Sequence, residues 1–187
     1  MRAQLMDPPP HIEDERRRLG LDQRDEMWEG VIHVVPPAAE YHQNFEGRLV
    51  AALLPLVDAR GLRVSPEVGL YRADNDFRVP DITVYRPEVT SQRGVEGWAD
   101  LVIEIVSPGD ESRIKLPWYV ENDSREILLI DRETLDLELY RPVEGEPQQF
   151  MPVHSVTLDC TFERVDERLL RVVSGSYSQD IPMWRPG

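Results

Sequence analysis

The sequence is poor in the residues that announce the commonest kinds of site. A single cysteine, Cys160, excludes an internal disulfide and any zinc site built on several thiolates. Lysine is nearly missing: Lys115 stands alone against 20 arginines. No apolar stretch approaches the roughly 18 residues that a bilayer-spanning helix needs. The opening MRAQLMDPPPHIEDERRR lacks the basic-then-apolar order of a secretory leader. A cytoplasmic protein without membrane association is the expectation. Positive charge is scarce as well, and a net charge of −14 repels phosphate backbones at long range. A nucleic-acid partner is then easiest to reconcile with acids that hold a divalent cation, which offsets local negative charge. Ser107-Pro108-Gly109 is no phosphate-binding glycine loop, and neither a nucleophile elbow nor a dinucleotide fingerprint is present.

What is present reads as one domain over residues 26–187, preceded by a partly flexible arm, 1–25, that contains DPPP and the solvated Arg16-Arg17-Arg18 run. VIHVV predicts a strand ended by Pro36-Pro37. Phe45, Leu49, Val50, Leu53, Leu56 and Val57 then recur at three- and four-residue spacing, predicting a one-sided helix that ends at Gly61, with Pro55 as a candidate kink. The period next switches to two. LRVSPEVGLY, FRVPDITVYR, ADLVIEIV, REILLID and LDLELYR are five strand candidates, the first pair joined by a RADND turn. Between the third and fourth, Asp110 is placed to cap a short helix that Pro117 disfavours. Residues 145–187 suit either a strand pair or a short helix. The order implies an α/β or α+β core around a mixed sheet.

Two acids stand out. Glu104 lies inside Leu101, Val102, Ile103, Ile105 and Val106, a strand apolar on both faces and so expected at the sheet centre. Alternation puts Glu104 with Val102 and Val106, opposite Leu101, Ile103 and Ile105. A buried carboxylate must find a cation, a donor or a proton. Asp81 opens its strand directly after Pro80, although aspartate is disfavoured in strands. On neighbouring strands the two would converge and share a proton or bind a hard cation. With the Lys115 ammonium added, the set suits phosphodiester hydrolysis. Plainer roles exist for each alone: a turn cap for Asp81, a solvent-facing edge residue for Glu104, a surface lysine for Lys115.

RVPDITVY, ADLVIEIVSP, Lys115 with Tyr119 four residues on, and REILLID, preceded by DEMWEGVIHVVPPAAEYHQ, together resemble a bacterial restriction endonuclease-like family of the PD-(D/E)XK nuclease superfamily. The resemblance covers roughly residues 20–142. It implies a mixed central sheet flanked by helices and a metal-dependent endonuclease, with Mg²⁺ as cofactor, Mn²⁺ as a substitute and DNA as the expected substrate. It matches Asp81 and Glu104 to the metal-binding acids and the backbone carbonyl of Ile105 to a further ligand. Val106 stands where the superfamily places its lysine, and Lys115 is the match displaced onto the following helix. His42 matches the histidine at the helix start. Glu67 is an auxiliary ligand candidate if its strand pairs with that of Asp81, and Tyr119 is expected to pack against the stem of Lys115. The rival expectation is a non-catalytic binding module or homodimer that keeps the fold, motivated by the acidic charge and by Val106.

Overall fold

The computed structural model describes residues 3–6, 9–20, 22 and 24–185. The chain begins with β1 (Ala3–Met6), α1 (Pro10–Arg18) and the hairpin β2 (Glu26–Trp28) and β3 (Val31–Val34). Helix α2 (Glu40–Asp58) leads to β4 (Arg63–Pro66), β5 (Leu70–Ala73), β6 (Asp76–Arg78) and β7 (Ile82–Tyr85). Then come β8 (Val95–Glu96), β9 (Leu101–Val106), the short helix α3 (Leu116–Glu121) and β10 (Ile127–Asp131). Six further strands close the described chain: β11 (Leu137–Val143), β12 (Glu146–Phe150), β13 (His154–Ser155), β14 (Cys160–Asp166), β15 (Leu169–Ser174) and β16 (Tyr177–Pro182).

The central sheet has the order β12-β11-β10-β9-β7-β4, in which β9 and β10 are parallel and the other pairs antiparallel. An outer sheet, β1-β3-β2-β6-β5-β8, and an antiparallel meander, β13 to β16, complete a mixed α+β fold. Every residue of β9 is buried, as expected for a strand covered on both faces. The alternation predicted from its sequence holds. Leu101, Ile103 and Ile105 pack with Phe45, Leu49 and Leu53 of α2. Val102 and Val106 pack with Trp118 and Tyr119 of α3. Among the described residues no helix is long and apolar enough to cross a membrane.

Four expectations need correction. The stretch read as an arm carries β1, paired with β3, and the helix α1. LRVSPEVGLY is two strands rather than one, because Glu67 takes a left-handed backbone (φ 46°) and moves the chain from the central to the outer sheet. FRVPDITVYR is likewise split, its halves β6 and β7 lying in different sheets on either side of Pro80, which has no N–H for a ladder. Pro117 does not oppose α3. It falls in the first turn, where the amide would have no intrahelical partner anyway. The described part of 145–187 forms strands β12 to β16 and their connections, with RVDERLLRVVSG forming the β14–β15 pair.

Candidate active site

The two sheet crossings deliver Asp81 to the mouth of the central sheet. Strand β7 pairs with β9 through Ile82–Ile103 and Thr83–Val102, so continuing the register by one residue sets Asp81 beside Glu104. Both acids line one pocket of about 240 Å³, together with Lys115, His42, Glu26 and Arg132. The structure thus brings Asp81, Glu104 and Lys115 together.

Lys115 immediately precedes α3, and its side chain runs inward to near-complete burial. Its Nζ lies 2.5 Å from Glu104 Oε1 and 3.0 Å from Glu26 Oε1. Burial alone would lower the ammonium pKa, but the two carboxylates outweigh it and hold the group above its ordinary value. This lysine is a fixed positive charge and not a base. Burial also pushes Glu104 up. Lys115 offsets part of that push and the carboxylates of Asp81 and Glu26 add to it, leaving Glu104 at about 7. Tyr119 donates its hydroxyl to Glu104 Oε1. Tyr119, expected beside the lysine stem, thus meets the same Glu104 oxygen as the Lys115 ammonium.

Asp81 is held from two sides. Its Oδ2 accepts the Ile105 backbone N–H at 2.6 Å, and its Oδ1 lies 3.2 Å from His42 Nε2. Burial would raise its pKa, but His42, the Ile105 N–H and Lys115 together lower it. An ionised Asp81 can only accept, so Nε2 of His42 carries the hydrogen in this contact. The Ile105 amide is thus engaged by Asp81, while the role the family resemblance implies for its carbonyl is toward the cation. Glu67 does not join the pocket. Its backbone N–H donates to the Asp81 carbonyl at 3.0 Å, but its carboxylate turns to Arg24 and Gln43, each at 2.7 Å.

The sequence reading passed over Glu26, Glu46 and Arg132. Glu26 is buried in β2, accepts the Val79 N–H at 3.1 Å and the Trp28 indole N–H at 2.9 Å, and faces Lys115. Burial acts to raise its pKa, but Lys115 and these donors bring it below the ordinary carboxylate value. Glu46 lies one helical turn after His42, a spacing visible in the sequence. It is buried, its Oε1 has no hydrogen-bond partner, and burial with Asp81 and Glu67 nearby pushes it to about 8. One ligand atom from each of His42, Glu46 and Asp81 lies within 4.8 Å of the others. An unsatisfied buried oxygen beside an imidazole and a second carboxylate is a donor set that fits a divalent cation.

A mixed sheet covered by helices, with an aspartate, a glutamate and a lysine converging at one end, defines a nuclease-like fold. The chain belongs to the Uma2 family, described as "Putative restriction endonuclease", whose model matches residues 13–166. The fold is similar to the crystal structure of a "putative nuclease belonging to DUF820" from Anabaena variabilis. That match has a TM-score of 0.55 and 22% identity, covering 69% of this chain and 77% of that one. No curated protein sequence matches the chain.

Proposed function

We propose that the protein is a metal-dependent nuclease that hydrolyses phosphodiester bonds, with DNA as substrate and Mg²⁺, replaceable by Mn²⁺, as cofactor. The observation that carries this reading is the buried Lys115–Glu104 ion pair, 2.5 Å long, in the pocket that Asp81 also lines. Asp81 and Glu104 are the residues that would hold the cation, with His42 and Glu46 in reach beside Asp81. Lys115 and Tyr119 both meet Oε1 of Glu104, which leaves Oε2 for coordination. When bound, the ion neutralises charge on the phosphate and lowers the pKa of a coordinated water.

The chain's own groups account for the remainder. Lys115, held protonated by two carboxylates, places a positive charge where the oxyanion develops and can orient the attacking water. The Ile105 N–H and His42 fix both oxygens of Asp81, so its direction is set before substrate arrives. Glu104, near 7, is brought fully to its ionised form by a cation at physiological pH.

The test is cleavage of plasmid and single-stranded DNA in Mg²⁺ and in Mn²⁺ by wild type, Asp81→Asn, Glu104→Gln and Lys115→Met. Metal-dependent cutting by wild type, reduced at least about a hundredfold in each variant, is expected. Full activity in either acid variant would remove the assignment. A metal-induced rise in melting temperature without turnover on any nucleic acid would favour the binding-module reading that the net charge of −14 motivates.

A further inference from the structure

Two arginines line this pocket. Arg24 is committed to an acid, 2.7 Å from Glu67. Arg132 differs. Among the described residues its guanidinium has no acid and no carbonyl within hydrogen-bonding range, and its Nε is buried with no partner. A desolvated, unpartnered donor on a cation is costly unless something arrives to accept from it.

The position of Arg132 is set by backbone structure. It follows the last residue of β10, and its amide donates to the Val106 carbonyl at 2.9 Å, two residues beyond Glu104 on the parallel strand β9. The guanidinium carbon lies 4.9 Å from the ring centroid of Tyr41, in the first turn of α2. This platform holds the planar group while leaving its edge donors free. The side chain opens into the pocket that Asp81, Glu104 and Lys115 line.

Resting on the nuclease reading above, we propose that Arg132 is the phosphate-binding residue of the pocket. Its guanidinium, seated on Tyr41, takes a backbone phosphate of the nucleic acid next to the acids. The chemistry follows from the donor. A flat fork of N–H groups matches two oxygens of one phosphate, which a point-charge ammonium does not. It also answers the problem raised by the acidic composition, because a strand can be held by a local unpaired cation although the molecule as a whole repels it. Carboxylate ligands fit less well, since the other titratable groups of the pocket are mainly acids and a phosphate diester is the anion they are arranged to process.

The experiment measures binding of a short fluorescein-labelled single-stranded DNA by anisotropy, with Ca²⁺ in place of Mg²⁺ to suppress turnover, across a salt series. Arg132→Gln is expected to weaken binding about tenfold or more. It should also reduce the slope of log affinity against log salt by about 0.7, the loss of one single-strand phosphate contact. Arg63→Gln, the same charge change on an exposed arginine of β4, should leave binding within about twofold. Competition by inorganic phosphate in wild type, lost in Arg132→Gln, would assign the subsite to phosphate alone; its absence would assign it to the polymer backbone. Equal melting temperatures of wild type and Arg132→Gln exclude misfolding as the cause, and Arg132→Lys provides a second variant that keeps the charge and loses the fork. DNA binding by wild type that Arg132→Gln leaves unchanged overturns the proposal and spares the nuclease reading. Arg132-dependent binding without cleavage in Mg²⁺ or Mn²⁺ does the reverse.

Discussion

Glu26 and Lys115 are 89 positions apart in the chain and 3.0 Å apart in space. Glu26 belongs to the outer sheet, and Lys115 reaches on to Glu104 of the central sheet. One ammonium therefore joins the two sheets through a buried carboxylate on each side. The pair is more than a surface ion bridge, because both partners are only 2% exposed and salt screens them little.

Replacing the cation tests this joint. Lys115→Met leaves two buried acids with no counter-charge, and a loss of about 3–5 kcal/mol is expected at neutral pH. Urea denaturation measures it. The deficit should shrink in mildly acidic buffer, where Glu26, which burial pushes up and which is no longer held down by the ammonium, takes up a proton. A deficit independent of pH would mean that lost packing, and not lost charge, dominates.

The raised carboxyls give metal-free stability a definite pH dependence. Glu46 and Glu104 stand at about 8 and about 7 in the folded protein, above the ordinary glutamate value of 4.5. In that window the native state binds more protons than the unfolded chain, so stability falls as pH rises and levels off above about 8. Glu46→Gln should flatten the upper part of the slope, between about pH 7 and 8. Chemical denaturation midpoints in chelator at several pH values check this, and a rising slope there would contradict the assignment.

Adding metal should reverse the trend. A cation that binds only the folded form stabilises by about 2.7 kcal/mol at a hundred times its Kd. For a chain of this size that is a rise of roughly 5–10 °C in melting temperature. Asp81→Asn should abolish the shift. Differential scanning fluorimetry with Mg²⁺ and Mn²⁺ reads it, and an unchanged shift in Asp81→Asn would place the ion elsewhere.

Cys160 should be inert while the protein is folded. It is buried, and burial with the Glu126 carboxylate nearby pushes its thiol to about 12. Essentially no thiolate is then available at neutral pH. Ellman's reagent at pH 8 is expected to react only after denaturant is added. Fast reaction of native protein would show that the core around β14 opens.

Much of this was legible in the sequence, for specific reasons. Glu104 was conspicuous because a charge in the middle of an apolar strand has few explanations, and period-two alternation assigned its face correctly. Helix α2 was legible from its apolar spacing. Glu26 was not, because its partner is 89 residues away and a short acid-rich segment carries no sign of burial. The sheet crossings at Glu67 and Pro80 were missed because a left-handed residue and a proline interrupt a strand pattern without altering its hydrophobic period. Tyr119 was placed on the right helix, but spacing does not say whether a hydroxyl meets a lysine or the acid beside it. Arg132 was indistinguishable from 19 other arginines until their partners could be seen.

The meander β13 to β16 bears on how this protein can be trimmed. Leu170, Val172, Ile181 and Met183 sit in the same core as Phe45 and Leu49 of α2, and the Tyr177 hydroxyl donates to the Ala52 carbonyl at 2.7 Å. The family match stops at residue 166, at the end of β14. A fragment cut there would strip the covering from one flank of α2 and leave β14 as an open strand edge. Such a fragment should go into inclusion bodies, with Asp81, Glu104 and Lys115 intact in sequence and the helix that carries His42 left without its support.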